Sequence, residues 1–155
     1  MKRQIFLSLI AVTLILTPFV NVEAKVSKSE SASITIAAKS KKVTTNSILK
    51  RFKSDGLEVG KVSKLNNREF GNIRKDGKRV LIPSLGKDNG GRLYEFKNKK
   101  DLKKAKSYYD ELGNAGPMFY SHTHQRGLFL LQMNGDMSDR DFAKYVKSMN
   151  AVIKK

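Results

Sequence analysis

The 155-residue chain predicts an α+β domain of two layers, a mainly antiparallel sheet with helices packed on one face, in the order α-β-β-β-α-β-β-α. Two observations near the C-terminus carry this reading. Residues 118–124 and 128–133 form two strand-like runs joined by Gln125-Arg126-Gly127, with glycine where a hairpin turn needs a positive φ. Directly after them, Ser138 followed three residues later by Asp141, with Met137 and Phe142 flanking, marks the start of an amphipathic helix. A third observation is the spacing upstream, where short strands and helical stripes alternate between turn residues rather than in long crossover units.

Taken in order, Thr44 or Thr45 caps a first helix with apolar positions Ile48, Leu49 and Phe52, and Gly56 ends it. Residues 57–65 read as an edge strand guarded by Lys61 and Lys64. Residues 66–78 are polar, with Gly71 and Asp76-Gly77 as turn signals. Residues 79–82 form a short buried strand stopped by Pro83, and residues 87–91 a turn. Residues 92–97 alternate, with Tyr94 and Phe96 on one face. Asn98 caps the next helix, whose buried stripe is Leu102, Ala105, Tyr109 and Leu112 and whose end is Gly113-Asn114. Met118, Tyr120, His122 and His124 share one face of the following strand, with Phe119, Ser121 and Thr123 on the other. The next run is apolar on both faces except at Gln132, which marks a central strand. In the last helix Phe142, Tyr145, Val146, Met149, Val152 and Ile153 make one stripe, and Phe142 and Tyr145 are expected to anchor it across the hairpin.

The N-terminus reads as a secretory signal peptide over residues 1–24. Lys2-Arg3 is the charged region, residues 5–16 the apolar region, Pro18 the break, and Val22-Glu23-Ala24 the cleavage site before Lys25. The alternative is an uncleaved membrane anchor. Residues 25–43, rich in Ser, Lys and Ala and without an aromatic, read as a flexible basic tether, leaving residues 44–155 as a single domain. The absence of cysteine removes lipid attachment at the leader and leaves the domain to be held by its core. The expected location is outside the cytoplasmic membrane, secreted or associated with the cell envelope.

Candidate chemistry is sparse. His122 and His124, the only histidines, could share a metal from one strand face, but two imidazoles make a weak site without a third ligand; read structurally, they are partly exposed strand residues. Asp136, Asp139 and Asp141 lack the spacing of a calcium loop and suit a helix first turn. Gly56 to Lys61 lacks the spacing and context of a phosphate loop. Ser121 and His122 point to opposite faces, so they form no nucleophile and base pair. Neither a reaction nor a cofactor is expected.

Charge is the stronger signal, with 31 Lys and Arg against 14 Asp and Glu. An excess of this size attracts polyanions. The densest block is Lys97, Lys99, Lys100, Lys103, Lys104 and Lys106; helical spacing turns Lys99, Lys103 and Lys106 outward, with Lys100 and Lys104 flanking them. Lysine rather than arginine suits diffuse attraction. The partners expected outside the membrane are an anionic wall polymer, an anionic lipid surface or an envelope protein, with DNA a weaker candidate and the protein a monomer.

Gly56-Leu57-Glu58-Val59-Gly60, Leu81-Ile82-Pro83-Ser84-Leu85-Gly86, Asp88-Asn89-Gly90-Gly91-Arg92, Tyr108-Tyr109-Asp110-Glu111-Leu112-Gly113 and Leu131-Gln132-Met133-Asn134-Gly135-Asp136 carry a resemblance. Over residues 45–149 the chain resembles the small exported "stress protein" group of Bacillus-like bacteria, often met on plasmids and other mobile elements. These motifs are turns and caps, and the resemblance implies no reaction and no catalytic residue. It implies a role at the surface of a plasmid-bearing cell, such as immunity, exclusion or conjugation support.

Overall fold

The computed structural model describes residues 42–153; the expected leader and the expected tether as far as residue 41 lie outside the described residues. Its elements are α1 (Thr45–Ser54), β1 (Val62–Lys64), β2 (Arg74–Leu81), β3 (Gly90–Phe96), α2 (Lys99–Ala115), β4 (Ser121–Arg126), β5 (Phe129–Asn134) and α3 (Asp139–Val152). All strand pairs are antiparallel and the sheet order is β1-β2-β3-β5-β4. This is the expected α+β class and element order. Val43, placed in the tether on sequence, packs against the core.

The layering differs from the expectation of helices on one face. Leu93, Leu131 and Met133 pack with Ile48, Leu49 and Phe52 of α1 and with Tyr145 and Met149 of α3. The alternate residues Tyr94, Phe96 and Leu130 pack instead with Leu102, Ala105 and Tyr109 of α2. Strand neighbours point to opposite faces, so α2 lies on one side of the sheet and α1 with α3 on the other. The physical reason lies in the central strands: β3 and β5 each carry large apolar side chains on both faces, Leu93 with Leu131 on one and Tyr94 with Leu130 on the other, and each must be covered. The connection makes it possible, because β3 and β4 run parallel with β5 between them, and α2 crosses over one face to join them.

Local chemistry sets the boundaries. The Thr44 hydroxyl accepts from the Ser47 amide and the Ser47 hydroxyl from the Thr44 amide, a capping box. Ser138 accepts from the Asp141 amide in the same way. Four expectations are corrected here. Asp76-Gly77 is no turn but lies inside β2, where Asp76 accepts from Thr45 of α1 and a Cβ at Gly77 would come within 2.9 Å of Arg74 and Leu65 side-chain atoms. α2 runs past Gly113-Asn114 to Ala115 and stops ahead of Pro117, which has no amide hydrogen to continue it. Pro117–Phe119 is a 3-10 turn, so β4 starts at Ser121 and not at Met118. Arg126 pairs with Phe129, which places the hairpin turn at Gly127-Leu128, with Gly127 at φ 59°.

Of the two anchors expected to hold α3 on the hairpin, Tyr145 is buried, but its ring and hydroxyl engage α1 and the segment after it. Its ring meets Phe52 edge-on at 5.2 Å and its hydroxyl donates to the Glu58 carbonyl at 2.7 Å. Phe142 is only partly buried and lies flat against the His122 ring at 4.9 Å. Phe52→Ala should therefore lower unfolding free energy by about 3–5 kcal/mol, and Phe142→Ala by clearly less. Denaturant unfolding of the two variants checks this; equal losses would contradict the packing of α3.

Candidate functional site

The lysine block lies where the helical spacing put it, on the solvent side of α2. Lys99, Lys100, Lys103 and Lys104 are exposed and form no ion pair among the described residues. Lys106 differs from expectation: it is partly covered and its ammonium meets Asp110 at 2.7 Å, one turn along. Lys97 precedes the helix and donates to the Asn72 carbonyl at 3.0 Å. The outward row is thus Lys99, Lys100, Lys103 and Lys104. At 1.5 Å of rise per residue it spans about 7.5 Å of axis along the outer side of the helix, so a polyanion lying against that side meets several of the four lysines at once.

The two histidines lie on the α3 side of β4. His122 is only 5% exposed, and its Nε2 lies 2.6 Å from the Met137 carbonyl oxygen. A carbonyl only accepts, so that nitrogen carries the hydrogen, and Nδ1 faces the Tyr120 hydroxyl at 3.3 Å. His124 Nε2 lies 3.0 Å from Asn150 Oδ1 and donates to it. Both Nε2 lone pairs are thereby taken up by hydrogen. Among the described residues no group of three His, Cys, Asp or Glu is placed to hold a metal ion.

A third feature was not read from sequence: a polar cleft on the α2 side of the sheet. Arg79, Arg92, Gln132 and Thr123 stand opposite one another across β2, β3, β5 and β4 and form one row on that face. Arg92 Nε donates to Glu69 at 2.5 Å, its NH1 lies 3.3 Å from Gln132 Oε1, and Gln132 Nε2 donates to Ser121 Oγ at 3.1 Å. Two adjoining hollows of about 430 Å³ each share Arg92, Gln132 and Ser121 as floor. One is walled by the 3-10 turn, where Met118 is 84% and Phe119 49% exposed. The other is walled by Phe70, Tyr108 and Tyr109. Gln132 was the one polar break in an apolar strand, and that break is the sequence trace of the cleft.

The loop before β2 supplies the acid. Arg74, buried, donates to the carbonyls of Leu65 at 2.8 Å and Asn66 at 2.9 Å and to that of Glu69, and so ties the loop down. Phe70 sits at φ 62°, a conformation costing about 1–3 kcal/mol for a bulky residue. Its ring meets Tyr94 and Tyr108 edge-on at 5.7 and 5.5 Å, contacts worth about 0.5–1.5 kcal/mol each. The two terms are of similar size, and the result is Glu69 held against Arg92. Burial works most strongly against the Arg92 charge, but the hydrogen bond with Glu69 and the Coulomb pull of Glu69, Tyr94 and Tyr109 together exceed it, so its pKa is raised.

No protein-family model, curated protein or solved structure matches this chain. Nor is any helix among the described residues long and apolar enough to cross a membrane. The fold and the site define an architectural class: an antiparallel sheet between helical layers, with a lysine row and a polar cleft on the same side.

The tyrosines beneath the cleft give a pH prediction. Tyr94 and Tyr109 share a hydrogen bond of 2.7 Å between their hydroxyls, and burial first of all pushes both pKa values up. Burial also pushes Tyr145 up to about 12. All three hold their protons more tightly when folded, so their contribution to stability is present below the unfolded value of 10.0 and is lost as pH rises above it. Alkaline titration followed by tyrosinate absorbance should show these three ionising only as the fold is lost. Smooth ionisation of every tyrosine near the value in denaturant, with the fold retained, would contradict the buried pair.

Proposed function

We propose that the protein is an exported, monomeric binding module that engages an anionic polymer of the cell envelope, in the setting of a mobile element that serves immunity, exclusion or conjugation. The observation that carries the reading is the row of Lys99, Lys100, Lys103 and Lys104, exposed on α2 and without ion-pair partners among the described residues. Four unpaired ammonium groups on two successive turns of one helix add to the attraction for an extended polyanion, and that attraction needs no fixed geometry in the partner. Wall polymers with repeating anionic groups suit such a row, and anionic lipid headgroups share that chemistry. The leader expected over residues 1–24 puts the module on the side of the membrane where these polymers are.

Binding governed by this row should collapse with salt. Retention on isolated cell walls, anionic vesicles and DNA across a salt series should fall steeply for the parent protein and be weak at every salt for a Lys100→Glu, Lys103→Glu, Lys104→Glu variant. Folding of that variant should be nearly intact, since exposed substitutions of this kind change stability by no more than about 0.5 kcal/mol each. Equal, salt-insensitive retention of both proteins would overturn the reading, and retention on DNA alone would move it to nucleic-acid handling.

A further inference from the structure

The cleft on the α2 side differs from the lysine row in charge, shape and exposure. Its charged lining is balanced: Arg68, Arg79 and Arg92 stand with Glu69, Asp88 and Asp136. Two of these arginines are already engaged, Arg92 with Glu69 and Arg79 with the Asp88 carbonyl at 2.8 Å. A simple anion entering here would meet as many carboxylates as guanidinium groups and gain little net Coulomb energy. A ligand carrying several hydroxyls would instead find donors and acceptors side by side on planar groups, the Arg79 and Arg92 guanidinium groups and the Asn134 amide, over Gln132, which is 4% exposed and bonds Arg92 and Ser121.

The rim supplies the opposite chemistry. Met118, Phe119 and Tyr120 are among the most exposed large apolar side chains, and all three line the cleft; Tyr108, 49% exposed, stands at its other end. Apolar groups left in water beside a concave polar floor mark a ligand with one polar edge and one apolar face. The backbone beneath is no docking edge for a peptide strand. β3 and β5 are interior strands whose ladders are already paired on both sides. Nor can the floor be raised beside β2, where a Cβ at Gly90 would fall 2.0 Å from the Val80 carbonyl oxygen.

We propose that this cleft is a saccharide site, with Arg79, Arg92 and Asn134 bonding ring hydroxyls, Gln132 holding Arg92 and Ser121 in place beneath them, and Phe119 stacking on the C–H face of a sugar. The inference rests on the binding-module reading and deepens it: the lysine row holds the charge of an envelope polymer, and the cleft reads its sugar units. The sugar site is neutral in its chemistry, so its affinity is insensitive to salt, whereas the row's is not.

The test is an amide-resonance titration of the protein with a neutral glucose tetramer, a neutral N-acetylglucosamine tetramer, glycerol phosphate and a tetra-alanine peptide, at low and high salt. At least one tetrasaccharide should shift the amides of Gly90, Gly91 and Gly135, which border the floor, equally at both salts. Phe119→Ala, and independently Arg79→Ala, should each weaken that binding at least about fivefold, the scale of one aromatic contact or charged hydrogen bond. The triple glutamate variant of α2 should bind the sugar as the parent does, which separates failure of the lysine row from failure of the cleft. The proposal is overturned if neither tetrasaccharide shifts these amides at about 10 mM, well above a millimolar Kd. It is equally overturned if only glycerol phosphate or only the peptide does so, or if both variants bind sugar as tightly as the parent.

Discussion

The pairing of β3 with β5 is the constraint from which the rest follows. Leu93 stands opposite Leu131 on one face and Tyr94 opposite Leu130 on the other, all four buried. Each such side chain contributes about 1.5–3 kcal/mol when withdrawn from water, so neither face of the central pair can be left wet. α1 and α3 meet the first demand and α2 the second. The crossover of α2 between parallel strands is the topological form of that demand.

Coverage on the second face stops where the sheet turns polar. α2 lies over Tyr94, Phe96 and Leu130, while the row of Arg79, Arg92 and Gln132 faces the hollows beside it. Arg74 and the strained Phe70 hold Glu69 at this boundary, so the loop before β2 partners Arg92 and leaves the floor reachable. A domain free to optimise packing alone would not keep a bulky residue at positive φ beside exposed aromatic rings.

Much of this was legible from residue spacing. The helix caps at Thr44, Asn98 and Ser138, the alternation of Tyr94 with Phe96 and the lysine face of α2 all depend on nearest neighbours in sequence, and all stand in the structure. The layering was not read, although the strand that is apolar on both faces held the clue: a two-sided strand calls for two covers. Asp76-Gly77 misled because its glycine answers a close approach by Arg74 and Leu65, a tertiary contact that imitates a turn signal. The cleft was invisible for a similar reason. Its floor joins residues from β2, β3, β4 and β5, and only the sheet order brings Arg79, Arg92, Gln132 and Thr123 into line.

The central claim is that α2 and α1 lie on opposite faces of the sheet, for both the cleft and the lysine row depend on it. The chain has no cysteine, so spin labels at Lys50→Cys on α1 and Lys103→Cys on α2, both exposed, can be placed without background. Helix axes on opposite faces are separated by about 20 Å, and outward-pointing labels should give a distance beyond about 30 Å. Helices side by side on one face are about 10 Å apart at their axes, and a distance below about 20 Å would contradict the account.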